Sequence, residues 1–137
     1  MNTQRGFLLP VLALLLFACG SPRYADGVFT GRSGADDTGA YADVTLTIQN
    51  GLVAACRFVT IQKDGTVKDE NYGKVNGEIS SADYYAKAQL AVRAMKTYEE
   101  QYLRSGSLDQ VDVISGATIA YNQFTEAVEN ALGAARK

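Results

Sequence analysis

Residues 112–124 read DVISGATIAYNQF. Ser115, Gly116, Ala117 and Thr118 lie just ahead of a stretch with helical periodicity. The first N–H groups of a helix have no acceptor within it and point outward. With the helix dipole they attract an anion, typically phosphate. Gly116 and Ala117 let a ligand come close to the backbone, and Ser115 and Thr118 add hydroxyl donors. The chemistry expected here is recognition of a phosphate group. The same pattern fits a plainer role, in which Ser115 or Thr118 caps the helix.

Other chemistries find less support. The sequence contains no histidine, which removes Ser-His and Cys-His catalysis and the usual zinc sites. The scattered carboxylates read as solvated faces, and no pair suggests a specific acid and base. We therefore assign no catalytic and no metal-ligating residue, and the pattern favours a carrier or binding protein over a catalyst. The net charge is −2 with no basic cluster, which argues against nucleic acid as a partner.

The N-terminus gives the chain an address. Arg5 precedes an apolar run, residues 7–18, broken by Pro10. That run is shorter than the roughly 20 apolar residues of a membrane span. A cationic start, a short apolar stretch and small residues at its end describe a secretory signal. Its end, LFAC, resembles a bacterial lipobox, which implies cleavage before Cys19 and acylation of that cysteine. On this reading residues 1–18 are a lipoprotein signal, 19–26 an acylated tether, and 27–137 one domain. Loss of Arg5 moves the net charge from −2 to −3. Several acyl chains give stable membrane attachment, so the membrane partner is lipid, reached through Cys19. The expected location is the cell membrane or outer membrane, with the domain on the extracytoplasmic side. Cys56 then stands alone in the apolar run LVAACRFVTI, where it reads as a small buried hydrophobe.

The elements that must position the turn follow from periodicity. A short strand is expected at about residues 28–32, between glycines. YADVTLTIQ alternates, with Ala42, Val44, Leu46 and Ile48 on one face, as a half-buried strand does. Asn50-Gly51 marks a type I′ hairpin turn. In simple register the return strand would put Arg57 on the apolar face. A β-bulge near Ala54 and Ala55 would instead turn Cys56 and Phe58 inward and Arg57 outward. A long polar loop follows. Ser80 and Ser81 can cap a helix over residues 82–103, with Asp83 suiting its positive end. Its stripe is Tyr85, Ala88, Val92, Met95 and Tyr98. Thr97 with Glu100 forms a capping-box pattern that predicts a helix restart there. VDVI reads as a short strand or extended piece. Tyr121, Phe124, Val128, Ala131 and Ala135 predict an amphipathic last helix. Early strands and late helices give an α+β class, a small antiparallel sheet with helices packed on one face.

The stretch DVISGATIAYNQFTEAVENAL resembles the signature of the FMN-binding domain family, through Asp112, Ser115, Gly116, Ala117 and Thr118. That family includes the flavin-carrying subunits of sodium-pumping quinone reductase and Rnf complexes and many exported lipoproteins. YADGVFTGRSG, ADVTLTIQNGLVAACRFV and KDGTVKDENYGK extend the similarity over nearly the whole mature chain, in its exported lipoprotein branch. The resemblance implies FMN as cofactor, held by those five residues. Two further candidates are Tyr72, which could stack on a flavin ring, and Asn122, which offers amide hydrogen bonds near the helix start. The signature ends on a Ser or Thr that receives FMN in flavinylated members. Here that position is Ala120, so the expectation is non-covalent FMN. The implied function is electron transfer to an unidentified redox partner. The alternative is a non-redox surface lipoprotein, an antigen or binding module that has lost flavin.

If Cys19 is the acylation site, Cys19→Ala releases the domain into the soluble fraction or leaves an unprocessed precursor. Unchanged attachment of a mature-size product, read by fractionation and immunoblot, would contradict the lipobox reading.

Overall fold

The computed structural model describes residues 23–137. The signal segment and Cys19 lie outside the described residues. Three strands come first in the chain: β1 (Gly27–Arg32), β2 (Tyr41–Gln49) and β3 (Leu52–Ile61). They pair antiparallel in the order β1-β2-β3. Helix α1 (Ala82–Ser105) and helix α2 (Thr118–Ala135) follow, with a short 3₁₀ turn, Leu108–Gln110, between them. The chain is thus an α+β fold, as the pattern predicts.

The hairpin forms as its sequence dictates. Asn50 and Gly51 both have positive φ, 53° and 73°, which a type I′ turn requires. Gln49 pairs with Leu52 and Ile48 with Val53, then the register shifts so that Thr47 faces Ala55. Ala54 is the extra residue of the bulge. Beyond it Cys56 lies opposite Leu46 and Phe58 opposite Val44. Phe58 is buried and Arg57 is exposed, the outcome the apolar alternation demands.

Alternation on β2 buries Ala42, Val44, Leu46 and Ile48, and the first three join buried residues of α1 and α2 in the core. Both helices therefore cover one face of the sheet. Gly31 makes the close approach of β1 to α2 possible: a Cβ there would lie 2.0 Å from the Ala127 carbonyl oxygen. The chain entering β1 is tied in as well. Ala25 N–H donates to Ala135 O at 2.8 Å, and Gly51 N–H to Asp26 Oδ1 at 2.9 Å.

Ser81 caps α1, its hydroxyl accepting from Tyr84 N–H at 3.3 Å. The predicted restart at Thr97 does not occur: α1 is one continuous helix of 24 residues. The Thr97 hydroxyl donates to the Arg93 carbonyl one turn back, at 3.3 Å, a back-bond available to Thr within a helix. The helix stops at Gly106, in the left-handed conformation that closes many helices. Residues 111–114 form no strand; Val111 is buried, with extended backbone, and the segment leads into the turn before α2.

A carboxylate in the core was not expected. Glu99 is 8 % exposed. It accepts from Phe58 N–H at 2.6 Å and from Lys96 Nζ at 3.0 Å. The backbone donor lies on the outer edge of β3, so the side chain closes part of an edge that would otherwise stay open.

Phe124 sits at the junction of all these elements and is fully buried. Its ring centroid is 5.0 Å from Phe58, 6.0 Å from Tyr98 and 6.0 Å from Tyr102. Phe124→Ala is expected to cost about 3–5 kcal/mol, measured by urea denaturation. A change within about 0.5 kcal/mol, the range of a surface substitution, would contradict this packing.

Candidate functional site

The turn before α2 is built by its own backbone. Ala117 N–H donates to Ile114 O at 2.9 Å, and Tyr121 N–H donates to Ala117 O at 3.0 Å. Gly116 lies inside this turn at φ 84°. A Cβ there would come within 2.9 Å of Leu90 Cδ2, the end of a side chain that can turn aside, so it is the left-handed backbone that calls for glycine. The helix N-cap is Ala117, and no side chain caps it. Neither Ser115 nor Thr118 takes the capping role. The first turn of α2 also contains no acidic residue. The N–H groups of Thr118, Ile119 and Ala120 thus keep their donor capacity at the positive end of the helix.

This helix start opens on a cleft of ≈ 450 Å³, within the range of ligand pockets. One wall is the turn itself: Gly116, Ala117, Thr118, Ile119 and Ala120. Lys87, Ala88, Ala91 and Met95 of α1 form another, and Thr60, Lys68 and Tyr72 a third. Asp36 and Thr38, between β1 and β2, close the remaining side.

The long polar loop after β3 is fastened to α1. Gln89 Nε2 donates to Tyr72 O at 2.9 Å and to Asp69 O at 3.1 Å. Tyr85 Oη donates to Glu70 O at 2.9 Å. These bonds bring Tyr72 and Lys68 to the cleft. Lys68 Nζ stands 5.0 Å from the Tyr72 ring centroid, a cation–π distance.

The charged lining is two lysines against one aspartate. Burial pushes the Asp36 carboxyl up, but hydrogen bonds from the Thr38 hydroxyl and the Ala40 and Thr38 backbone outweigh it and hold it below the usual range. One of its oxygens accepts from Thr38 Oγ1 at 2.6 Å, Thr38 N at 2.8 Å and Ala40 N at 3.0 Å. Asp36 therefore builds its own loop, while Lys68 and Lys87 favour an anion in the cleft.

Of the residues predicted from sequence, Gly116, Ala117, Thr118 and Tyr72 meet in this cleft. Asp112, Ser115 and Asn122 do not line it. Asp112 is exposed, and its N–H donates to Gln101 Oε1 at 2.7 Å. Ser115 is exposed. Asn122 borders a neighbouring depression with Asp36, Asp37 and Glu126. Lys68, Lys87, Tyr84 and Gln123 also line the cleft without having been singled out. For Lys68 the polar loop was a signal; for Lys87 and Gln123 the local pattern offered none.

The FMN-binding domain family matches residues 39–133, most of the chain. The chain belongs to this family. FMN is accordingly its cofactor, and the site fits it: an uncapped helix start, a glycine that keeps the approach clear, and two lysines suit a phosphate, while Tyr72, Ala88, Ala91 and Met95 suit a ring. Among solved structures, the CPE2226 protein from Clostridium perfringens has a similar fold. Its TM-score is 0.64 at 22% identity, covering 82% of this chain and 88% of that one. The curated proteins give no match.

Proposed function

We propose that this FMN-binding domain protein is an exported lipoprotein, anchored through Cys19, that serves as an electron-transfer flavin carrier. The observation that supports this most is the uncapped start of α2, opening on a cleft with two lysines. The N–H groups of Thr118, Ile119 and Ala120 hold the phosphate of FMN, with Lys87 and Lys68 balancing its charge. Tyr72 and Tyr84 offer aromatic faces to the ring, and Ala88, Ala91 and Met95 keep water from one side of it. Bound flavin supplies the one- and two-electron redox chemistry; the protein supplies orientation and electrostatics. The redox partner lies on the extracytoplasmic side with the domain.

Attachment has two readings. With a methyl group at Ala120, which lines the cleft at 9 % exposure, FMN is held reversibly. Thr118 favours a second reading. It is exposed, stands at the first position of α2 and lines the same cleft. A phosphoester to Thr118 places the phosphate at the same helix start. The two are separated by producing the chain with an active FMN transferase in an exported setting. Absorption is then recorded before and after denaturation, with intact mass on the denatured protein. Reversible binding gives a flavin spectrum that leaves the protein on denaturation, with no added mass. Covalent binding gives the flavin mass, lost in Thr118→Ala. A folded chain that takes up FMN in neither form would overturn the carrier reading.

A further inference from the structure

The Ile114, Ser115, Gly116, Ala117 turn, closed by its own backbone bond, is also held by a side chain on the other helix. Tyr98 of α1 is fully buried. Its hydroxyl accepts from Ile114 N–H at 3.0 Å and donates to Ala117 O at 3.2 Å. One oxygen atom therefore touches both ends of the turn. Ala117 O is also the acceptor of the first intrahelical bond of α2, from Tyr121 N–H. Gln101, one turn along α1, holds the chain just upstream by accepting from Asp112 N–H at 2.7 Å. Residues three apart share a helix face, so α1 grips the segment 112–117 from one side. Burial raises the Tyr98 phenol above its ordinary value, which keeps the proton it donates across the neutral range.

We propose that Tyr98 is a positioning residue for the phosphate end of the FMN site: its hydroxyl fixes the 114–117 turn so that Gly116 and the first N–H groups of α2 face the cleft. This inference rests on the reading that the FMN phosphate sits at the start of α2. Its physical content is preorganisation. Donors already held in place lose little freedom when an anion arrives, whereas a turn free to rearrange must be ordered on binding. The ring has a separate duty. Tyr98 packs against Tyr121 at 5.7 Å and Phe124 at 6.0 Å between centroids. Tyr98→Phe keeps that packing and removes only the hydroxyl.

The test compares FMN with riboflavin, which is the same molecule without phosphate. Affinities are measured by flavin fluorescence titration of the full chain in mild detergent, produced without an FMN transferase. The wild-type chain is expected to prefer FMN. Tyr98→Phe is expected to weaken FMN binding about tenfold, the scale of one lost favourable contact, while riboflavin binding stays within about twofold. A role confined to stability would lower both affinities alike or neither. Tyr102→Phe, a second buried tyrosine of α1 in the same aromatic cluster, is expected to leave the FMN preference unchanged. A folded Tyr98→Phe chain that keeps the full preference overturns the inference while leaving the phosphate placement intact. A wild-type chain with no preference for FMN over riboflavin overturns the placement, and the inference with it. If Tyr98→Phe does not fold, amide exchange in the wild-type chain decides: a slow Ile114 N–H supports the clamp, and a fast one overturns it.

Discussion

The packing around Phe124 is the constraint on which the rest depends. Its ring contacts Phe58 of the sheet and Tyr98 and Tyr102 of α1, so one side chain of α2 joins the sheet and the other helix. Phe58 reaches this point because Ala54 is bulged out of the hairpin register. Phe124 reaches it because Gly31 lets α2 lie close on β1. With α2 fixed against β1, β2 and α1, its start lies beside Lys87 and Ala88 of α1 and the polar loop. Core packing thus sets the helical walls of the cleft, and the loop residues Asp36, Thr38, Lys68 and Tyr72 complete it.

A helix start without a cap forgoes roughly 1 kcal/mol of stabilisation. Here that omission falls on the wall of the cleft proposed to hold FMN. Both hydroxyls that could have capped α2, on Ser115 and Thr118, leave its backbone donors alone. Local rules of stability are often broken at functional sites, with compensation elsewhere. In this chain α1 supplies compensating bonds: Tyr98 satisfies backbone groups of the turn and Gln101 one just upstream of it.

Much of the fold was legible in the sequence because it is local. The alternation of β2, the Asn-Gly turn, the misplaced Arg57 that demanded a bulge, and the Ser81 cap each involve residues near one another in the chain. The restart expected at Thr97 failed because a capping box is also an ordinary mid-helix pattern. With no proline or glycine nearby, continuing α1 cost nothing. Glu99 looked like a solvated acid, yet it closes the edge of β3 by bonding to Phe58, 41 positions away. The same limit shaped the site. The signature turn named Gly116, Ala117 and Thr118, but Asp112 and Ser115 share its spacing without sharing its cleft. Asn122, one turn into α2, faces the neighbouring depression. Lys68 enters through the fastening of the polar loop to α1, and Lys87 because α1 lies beside the start of α2; both are relations between segments. Tyr98 read as one member of an apolar stripe, and its hydroxyl found partners beyond the reach of periodicity.

Amide chemical shifts during titration with FMN test the central claim most directly. If the phosphate sits at the start of α2, the largest shifts fall on Gly116, Ala117, Thr118, Ile119 and Ala120, and inorganic phosphate at high concentration moves the same amides. Saturable FMN binding that leaves those five amides unmoved and shifts residues around Asp37, Asn122 and Glu126 instead would contradict the account.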